Sequence, residues 1–232
     1  MTKKLAILQS NYIPWRGYFD LIAAVDEFIV YDEAQYTKHD WRNRNLVKTP
    51  QGPQWLTVPV RNKGLLEQTV RAAEIEGSAW ARKHWKSLEA NYGRARHFDA
   101  VADLLRPVYL AQEHRLLSVL NRRLIDLVCG HLGIATRITD ACDYVLEGDR
   151  TGRLVTLCEQ AGATLYVSGP AARTYLDERR FAERGIGVQW FDYGGYAEYP
   201  QLWGPFSPRV SVLDLMFNCG PQAAHYLRHA KP

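Results

Sequence analysis

Apolar residues along this chain fall first at strand spacing, then at helical spacing, then at strand spacing again. Residues 5–9 form a short apolar run, and Pro14 and Gly17 punctuate a turn. Tyr18, Leu21, Ile22 and Val25 then recur with a helical period. Residues 27–31, EFIVY, read as a second buried strand. Residues 55–60, WLTVPV, read as a third, its Pro59 favouring an edge or a strand end. Between these two, QYTKHDWRNRN has no period and reads as a loop.

The middle of the chain is helical. Ser78 is placed to cap a helix that carries Trp80, His84, Leu88 and Tyr92 on one face and stops at Gly93. A second helix, over 98–109, contains Pro107, which is expected to end or kink it. A third has an apolar stripe of Leu116, Leu117, Leu120, Leu124, Leu127, Val128 and His131, closed by Gly133. Strand and helix alternate again afterwards. A helix over 153–161 ends at Gly162, and the strand 164–168 delivers a Ser168-Gly169-Pro170 turn. Asp177 caps a short helix, and 187–191 is a further strand. Residues 192–209, rich in Tyr, Gly and Pro, are too long for an idle connection. Ser211 opens the last helix, where Ser211-x-x-Asp214 has the spacing of a capping box.

This rhythm predicts an α/β fold with a mainly parallel sheet, because strand–helix–strand units pair their strands in parallel through crossovers. The expected sheet contains strands 5–9, 27–31 and 164–168. The expected organisation is a single domain assembled from 1–64 and 136–232, with 65–135 as a helical insertion.

Composition narrows the function classes. The 232 residues are 47% hydrophobic and 23% charged, ordinary for a globular protein able to bury a core. No run approaches the roughly 18 to 20 apolar residues of a membrane span, and the mean hydropathy is −0.31. The N-terminus has neither the apolar region nor the small-residue cleavage site of a signal peptide. Cys129, Cys142, Cys158 and Cys219 show no metal-ligand spacing. A cytoplasmic protein with reduced thiols and no metal is expected, and the residue pattern does not name a cofactor. The net charge is +4, yet residues 35–64 alone hold six Lys or Arg against one Asp. So local a cationic patch suits a phosphorylated small molecule at least as well as a polymer.

Candidate residues follow from chemistry and position. His84, on the buried side of its helix, is a candidate general base; the same spacing fits a core histidine bonded within the protein. Asp32 and Gln35 follow a buried strand, where parallel sheets bind ligands, or else form a solvated turn. Asp32 is the second catalytic candidate, as an orienting carboxylate, and Gln35 a reader of amide or base edges. Lys38, Trp41, Arg42, Asn43 and Arg44 are candidates for a pyrophosphate and a ring, since guanidinium groups fork onto phosphate and an indole stacks. Gln9 and Tyr12, at the end of the first strand, face the same crevice if the topology is right. Asp214 reads as a helix cap, and Ser168-Gly169 only weakly as a phosphate turn.

The motif Gln9-Ser10-Asn11-Tyr12-Ile13-Pro14-Trp15-Arg16-Gly17-Tyr18-Phe19-Asp20-Leu21-Ile22 resembles the WbqC-like family. The likeness continues through Tyr31 to Tyr36, Trp41 to Asn45, Trp55 to Val60, Lys83-His84-Trp85, Tyr166 to Gly169, Tyr175-Leu176 and Ser211 to Leu215. Ser10 stands where the family commonly has Pro. The family belongs to bacterial gene clusters for surface polysaccharides. The resemblance implies a transferase or ligase that acts on a nucleotide-linked amino sugar, forming an amide with glycine or another acyl group. The alternatives are a non-catalytic sugar-nucleotide binder and an enzyme that takes an aminoacyl group from tRNA. The opening is also similar to pantothenate synthetase, which implies a Rossmann-like, nucleotide-binding type of sheet. That enzyme's two signature histidines would fall on Trp15 and Tyr18, which cannot place an imidazolium on ATP.

Overall fold

The computed structural model describes residues 2–65 and 67–230. Its elements run β1 (Lys4–Leu8), α1 (Arg16–Ala23), β2 (Glu27–Val30), β3 (Arg44–Thr49), β4 (Gly52–Thr57), α2 (Ala79–Tyr92), α3 (Phe98–Leu110) and α4 (Leu117–His131). After these come β5 (Arg137–Asp140), α5 (Arg150–Gln160), β6 (Leu165–Ser168), α6 (Glu178–Ala182), β7 (Gly187–Trp190) and α7 (Val212–Cys219).

Five strands form one sheet in the order β5-β2-β1-β6-β7, and every pairing is parallel. The fold is therefore α/β, as the alternation of periods predicts. Counted within this sheet alone, the order is 3-2-1-4-5, with the chain reversing direction across the sheet between β1 and β6. That is the order of doubly wound nucleotide-binding sheets.

The strands bury both faces, which is why they read as continuous apolar runs. Leu5, Ile7, Ile29 and Tyr166 pack with Leu154, Leu157 and Phe181 of α5 and α6. Ala6, Phe28, Val30 and Val167 turn to the opposite layer with Phe19 and Ile22 of α1. That second core is continuous with Trp85, Leu105, Leu124 and Phe217, so α2, α3 and α4 share it with α1 and α7.

The expected strand at residues 55–60 is present but starts earlier, at Gly52. The strand is β4, which pairs antiparallel with β3 in a separate two-stranded sheet and ends before Pro59. Trp55 lies on its outer side, 41% exposed, and Leu56 on its inner side. Two corrections concern helices. Pro107 does not end α3, because burial of Val108 and Tyr109 carries the helix on to Leu110. Asp214 is no cap: Ser211 Oγ accepts from the Leu213 N–H, while the Asp214 carboxylate turns into the core.

There Asp214 pins the long segment 192–209. Its Oδ1 accepts from Tyr199 Oη at 2.9 Å and Gln201 Nε2 at 2.8 Å, and its Oδ2 accepts from Tyr92 Oη at 2.9 Å. Tyr92 Oη already accepts from the Lys48 N–H, so its own hydrogen must go to Asp214. Arg16 holds the same segment from α1, its guanidinium 4.8 Å from the Tyr196 ring and 5.3 Å from the Tyr199 ring. In Asp214→Asn, either orientation of the amide sets an N–H against a donor. The expected cost is about 2 to 4 kcal/mol, read as a fall in Tm of roughly 5 to 15 °C.

Candidate functional site

The C-terminal ends of β1 and β6 part where the strand order reverses, and a crevice of about 170 Å³ opens there. Gln9 follows β1, Tyr31 follows β2, Ser168 ends β6 and Gly169 follows it; all line the crevice. Its outer wall comes from the first turn of α5 and the segment after β6. There the Arg150 guanidinium lies 3.4 Å from the centre of the Tyr175 ring.

The segment leaving β1, residues 9–15, is held from several sides. Asp32, at the end of β2, accepts from the Ser10 N–H at 2.8 Å and the Ser10 hydroxyl at 2.7 Å. Burial raises the Asp32 pKa, and the two bonds from Ser10 and the nearby Arg42 act against that rise. Asn121 Nδ2 donates to Ser10 Oγ and to the Arg42 carbonyl. Arg42 in turn donates to Gln9 Oε1. Further on, Asn45 Nδ2 donates to the carbonyls of Tyr12 and Ile13, at 3.2 and 3.0 Å. Between those carbonyls Ile13 has φ +38°, a backbone state a β-branched residue adopts only under constraint.

Seven of the ten candidates fall into three groups, and Asn43, Lys38 and Gln35 stand apart from them. Gln9, Asp32 and Arg42 meet at the sheet edge. Tyr12 and His84 meet behind it: Tyr12 Oη is 2.8 Å from His84 Nδ1 and 2.8 Å from Tyr109 Oη. The imidazole is buried against Trp80, also bonds the Thr57 backbone, and lines neither this crevice nor the cavity at Trp41. Burial pushes its pKa down to about 4. Trp41 and Arg44 face outward with Trp55: the indoles are 5.4 Å apart and the Arg44 guanidinium is 4.2 Å from Trp55. Asn43 is buried and donates to the Val58 carbonyl, Lys38 is exposed, and Gln35 forms a bridge with Thr69.

Ser10, Asn45, Asn121, Arg150 and Tyr175 belong to this network, and sequence reasoning missed them as site residues. Asn45 had a usable signal, a short amide inside a strand-length stretch. Tyr175 had its place in a motif shared with the family, and Arg150 had no signal, since only the fold brings it beside Gln9. Among the described residues no cluster of His, Cys, Asp and Glu is arranged to hold a metal ion, and no helix is long and apolar enough to cross a membrane.

The parallel sheet and its crevice at the strand reversal define an α/β protein with a five-stranded sheet of order 3-2-1-4-5. Residues 9–226 match the WbqC-like protein family, and the chain belongs to that family. It is 59% identical over 229 residues to a Mycobacterium tuberculosis (strain ATCC 25618 / H37Rv) protein described as "Uncharacterized protein Rv1507c", with 99% of each chain covered. No solved structure matches it.

Two outcomes are expected from these contacts. Asn45→Ala leaves the Tyr12 and Ile13 carbonyls without their donor and lowers stability by about 2 to 4 kcal/mol in urea unfolding. His84 titrates at about 4 when folded and near 6.5 when unfolded. The unfolded chain therefore takes up the proton first as pH falls, and stability present above pH 6.5 is lost toward pH 4. Relative to His84→Gln, the wild type should lose about 2 to 3 kcal/mol between pH 7 and 4.5.

Proposed function

We propose that this protein binds a nucleotide-linked amino sugar at the strand-reversal crevice and serves amide formation on the sugar's amine. The observation that carries the binding half is a guanidinium in the crevice wall, Arg150, with a second, Arg42, bonded to the crevice residue Gln9. Arg42 donates to Gln9 Oε1, and Arg150 lies on the Tyr175 ring. A diphosphate between them would take forked, charge-assisted hydrogen bonds at the place where such sheets bind nucleotides. Amide formation comes from the family resemblance.

The basic window 35–64 supports a small ligand over a polymer. Lys48 is buried against Gln201 and Pro205, Arg42 points to the sheet edge, Arg44 stacks on Trp55, and Arg61 pairs with Glu74. These cations serve four separate places. In this reading His84 and Asp32 are positioning residues: His84 holds Tyr12, Asp32 holds Ser10, and together they fix the segment that carries Gln9.

A thermal-shift panel of UDP- and dTDP-sugars, ATP and tRNA tests the ligand class. A compound at 100 times its Kd should stabilise the protein by about 2.7 kcal/mol, and the sugar nucleotides are expected to do so. Stabilisation by tRNA alone contradicts the reading. Arg150 is exposed, so Arg150→Ala should leave the ligand-free Tm nearly unchanged. It should weaken sugar-nucleotide binding by about 1.5 to 3 kcal/mol, the range for hydrogen bonds to charged groups. Unchanged affinity in a calorimetric titration would remove Arg150 from the site.

A further inference from the structure

Beside the crevice lies a second cavity, of about 380 Å³, which no candidate residue but Trp41 reaches. Its walls are two indoles, Trp15 and Trp41, with Arg209 contributed by the long segment after β7. Each indole is braced from behind. Trp15 lies 5.5 Å from the Tyr193 ring and 5.9 Å from the Tyr196 ring, and Trp41 lies 5.4 Å from Trp55. Gly17 makes room for the first wall: a Cβ there would stand 2.3 Å from Trp15 Cζ2. The second wall is left open to solvent, with Trp41 43% and Trp55 41% exposed. Preformed aromatic surface of this kind, with a few polar groups around it, is the usual build of a small-molecule site.

The polar groups say what the occupant must offer. Two amides line the cavity, and Asn45 is fully engaged, donating to the Tyr12 and Ile13 carbonyls and accepting from the Leu46 N–H. Asn11 Oδ1 is different: it is buried and has no hydrogen-bond partner in the protein. A buried acceptor without a partner calls for a donor from a ligand or from water. An occupant with apolar C–H faces for two indoles and a hydroxyl or amine for Asn11 is a sugar ring, and Arg209 adds donors for its oxygens.

Chain continuity connects this cavity to the crevice. Asn11 is two residues beyond Gln9, so their Cα atoms lie within about 7 Å. Trp41 immediately precedes Arg42, which donates to Gln9, and the Tyr12 N–H donates to the Trp41 carbonyl at 3.0 Å. A ligand whose diphosphate rests at Arg42 therefore has its next group beside Trp41. We infer that the cavity between Trp15 and Trp41 receives the sugar ring of the nucleotide-linked ligand, with a ring amine or hydroxyl donating to Asn11. This rests on the reading proposed for the crevice.

The test compares UDP with UDP-glucosamine, and dTDP with dTDP-glucose, by calorimetric titration of the wild type, Trp41→Ala and Trp41→Phe. Trp41 is half out of the fold, so both variants should keep the wild-type Tm. In the wild type, the sugar conjugate should bind about tenfold more tightly than the bare diphosphate, the scale of one good aromatic contact. In Trp41→Ala that ratio should fall to near one with the bare diphosphate unchanged, and Trp41→Phe should restore part of it. A ratio that survives Trp41→Ala overturns the inference, because the sugar then lies elsewhere. Loss of bare-diphosphate affinity in the same variant also overturns it, because the base then fills the cavity. If neither UDP nor dTDP binds the wild type, the crevice reading fails and methyl glucosaminide tests the cavity alone. A saturable change in tryptophan fluorescence, absent in Trp41→Ala, upholds a sugar site; no saturable change ends it.

Discussion

The hydrogen bonds that hold residues 9–15 after β1 are the constraint on which the rest of the site depends. A β-branched residue at φ +38° is disfavoured by about 1 to 3 kcal/mol, and Ile13 keeps that state because Asn45 ties down the carbonyls on both sides of it. Asn45 is itself fixed on β3, in register with Leu56 of β4. The hairpin is therefore a brace for the segment that leaves the central strand. Upstream, Asp32 and Asn121 fix Ser10 from β2 and α4.

The consequence is two recesses that share one wall. Gln9 faces the crevice at the strand reversal, Asn11 faces the aromatic cavity, and Ser10 between them is fully buried. Neighbouring residues 41 and 42 divide the same way, Trp41 to the cavity and Arg42 to Gln9. A single rigid segment thus sets the distance between a cationic site and an aromatic one. The segment 192–209 closes the far side. It is anchored by the buried carboxylates Asp20 and Asp214 and by Arg16 within its cage of rings.

Much of this was legible in the residue pattern. The sheet strands are buried on both faces, so β1, β2 and β6 stand out as apolar runs, and α2 and α4 show their stripes and glycine stops. β3 did not stand out. Its inward positions include Asn45, and Lys48 and Thr49 are buried as well, so polar contacts replace the apolar alternation that marks a strand. β5 is a short edge strand, RITD, with Ile138 its one large apolar residue. Gln9, Asp32 and Arg42 could be picked out because they lie at strand ends or in the basic loop, and the structure brings them together. The role of Asp214 was not readable from spacing, since it depends on the hydroxyls of Tyr92 and Tyr199 from distant segments, whereas His84 takes the internally bonded place its spacing also allowed, with Tyr12 as a partner.

The proposed phosphorylated ligand would enter at the reversal between β1 and β6 and be held by the braced segment after β1. Hydrogen–deuterium exchange with and without a saturating sugar nucleotide tests this placement most directly, because backbone protection reports where the ligand seats. Slower exchange is expected only at residues 9–15, 31–42 and 168–175, with a separate groove where α2 begins and α3 ends, lined by residues 75–82 and 109–115, unchanged. Protection centred on that groove, with residues 9–15 and 168–175 unaffected, would contradict the placement.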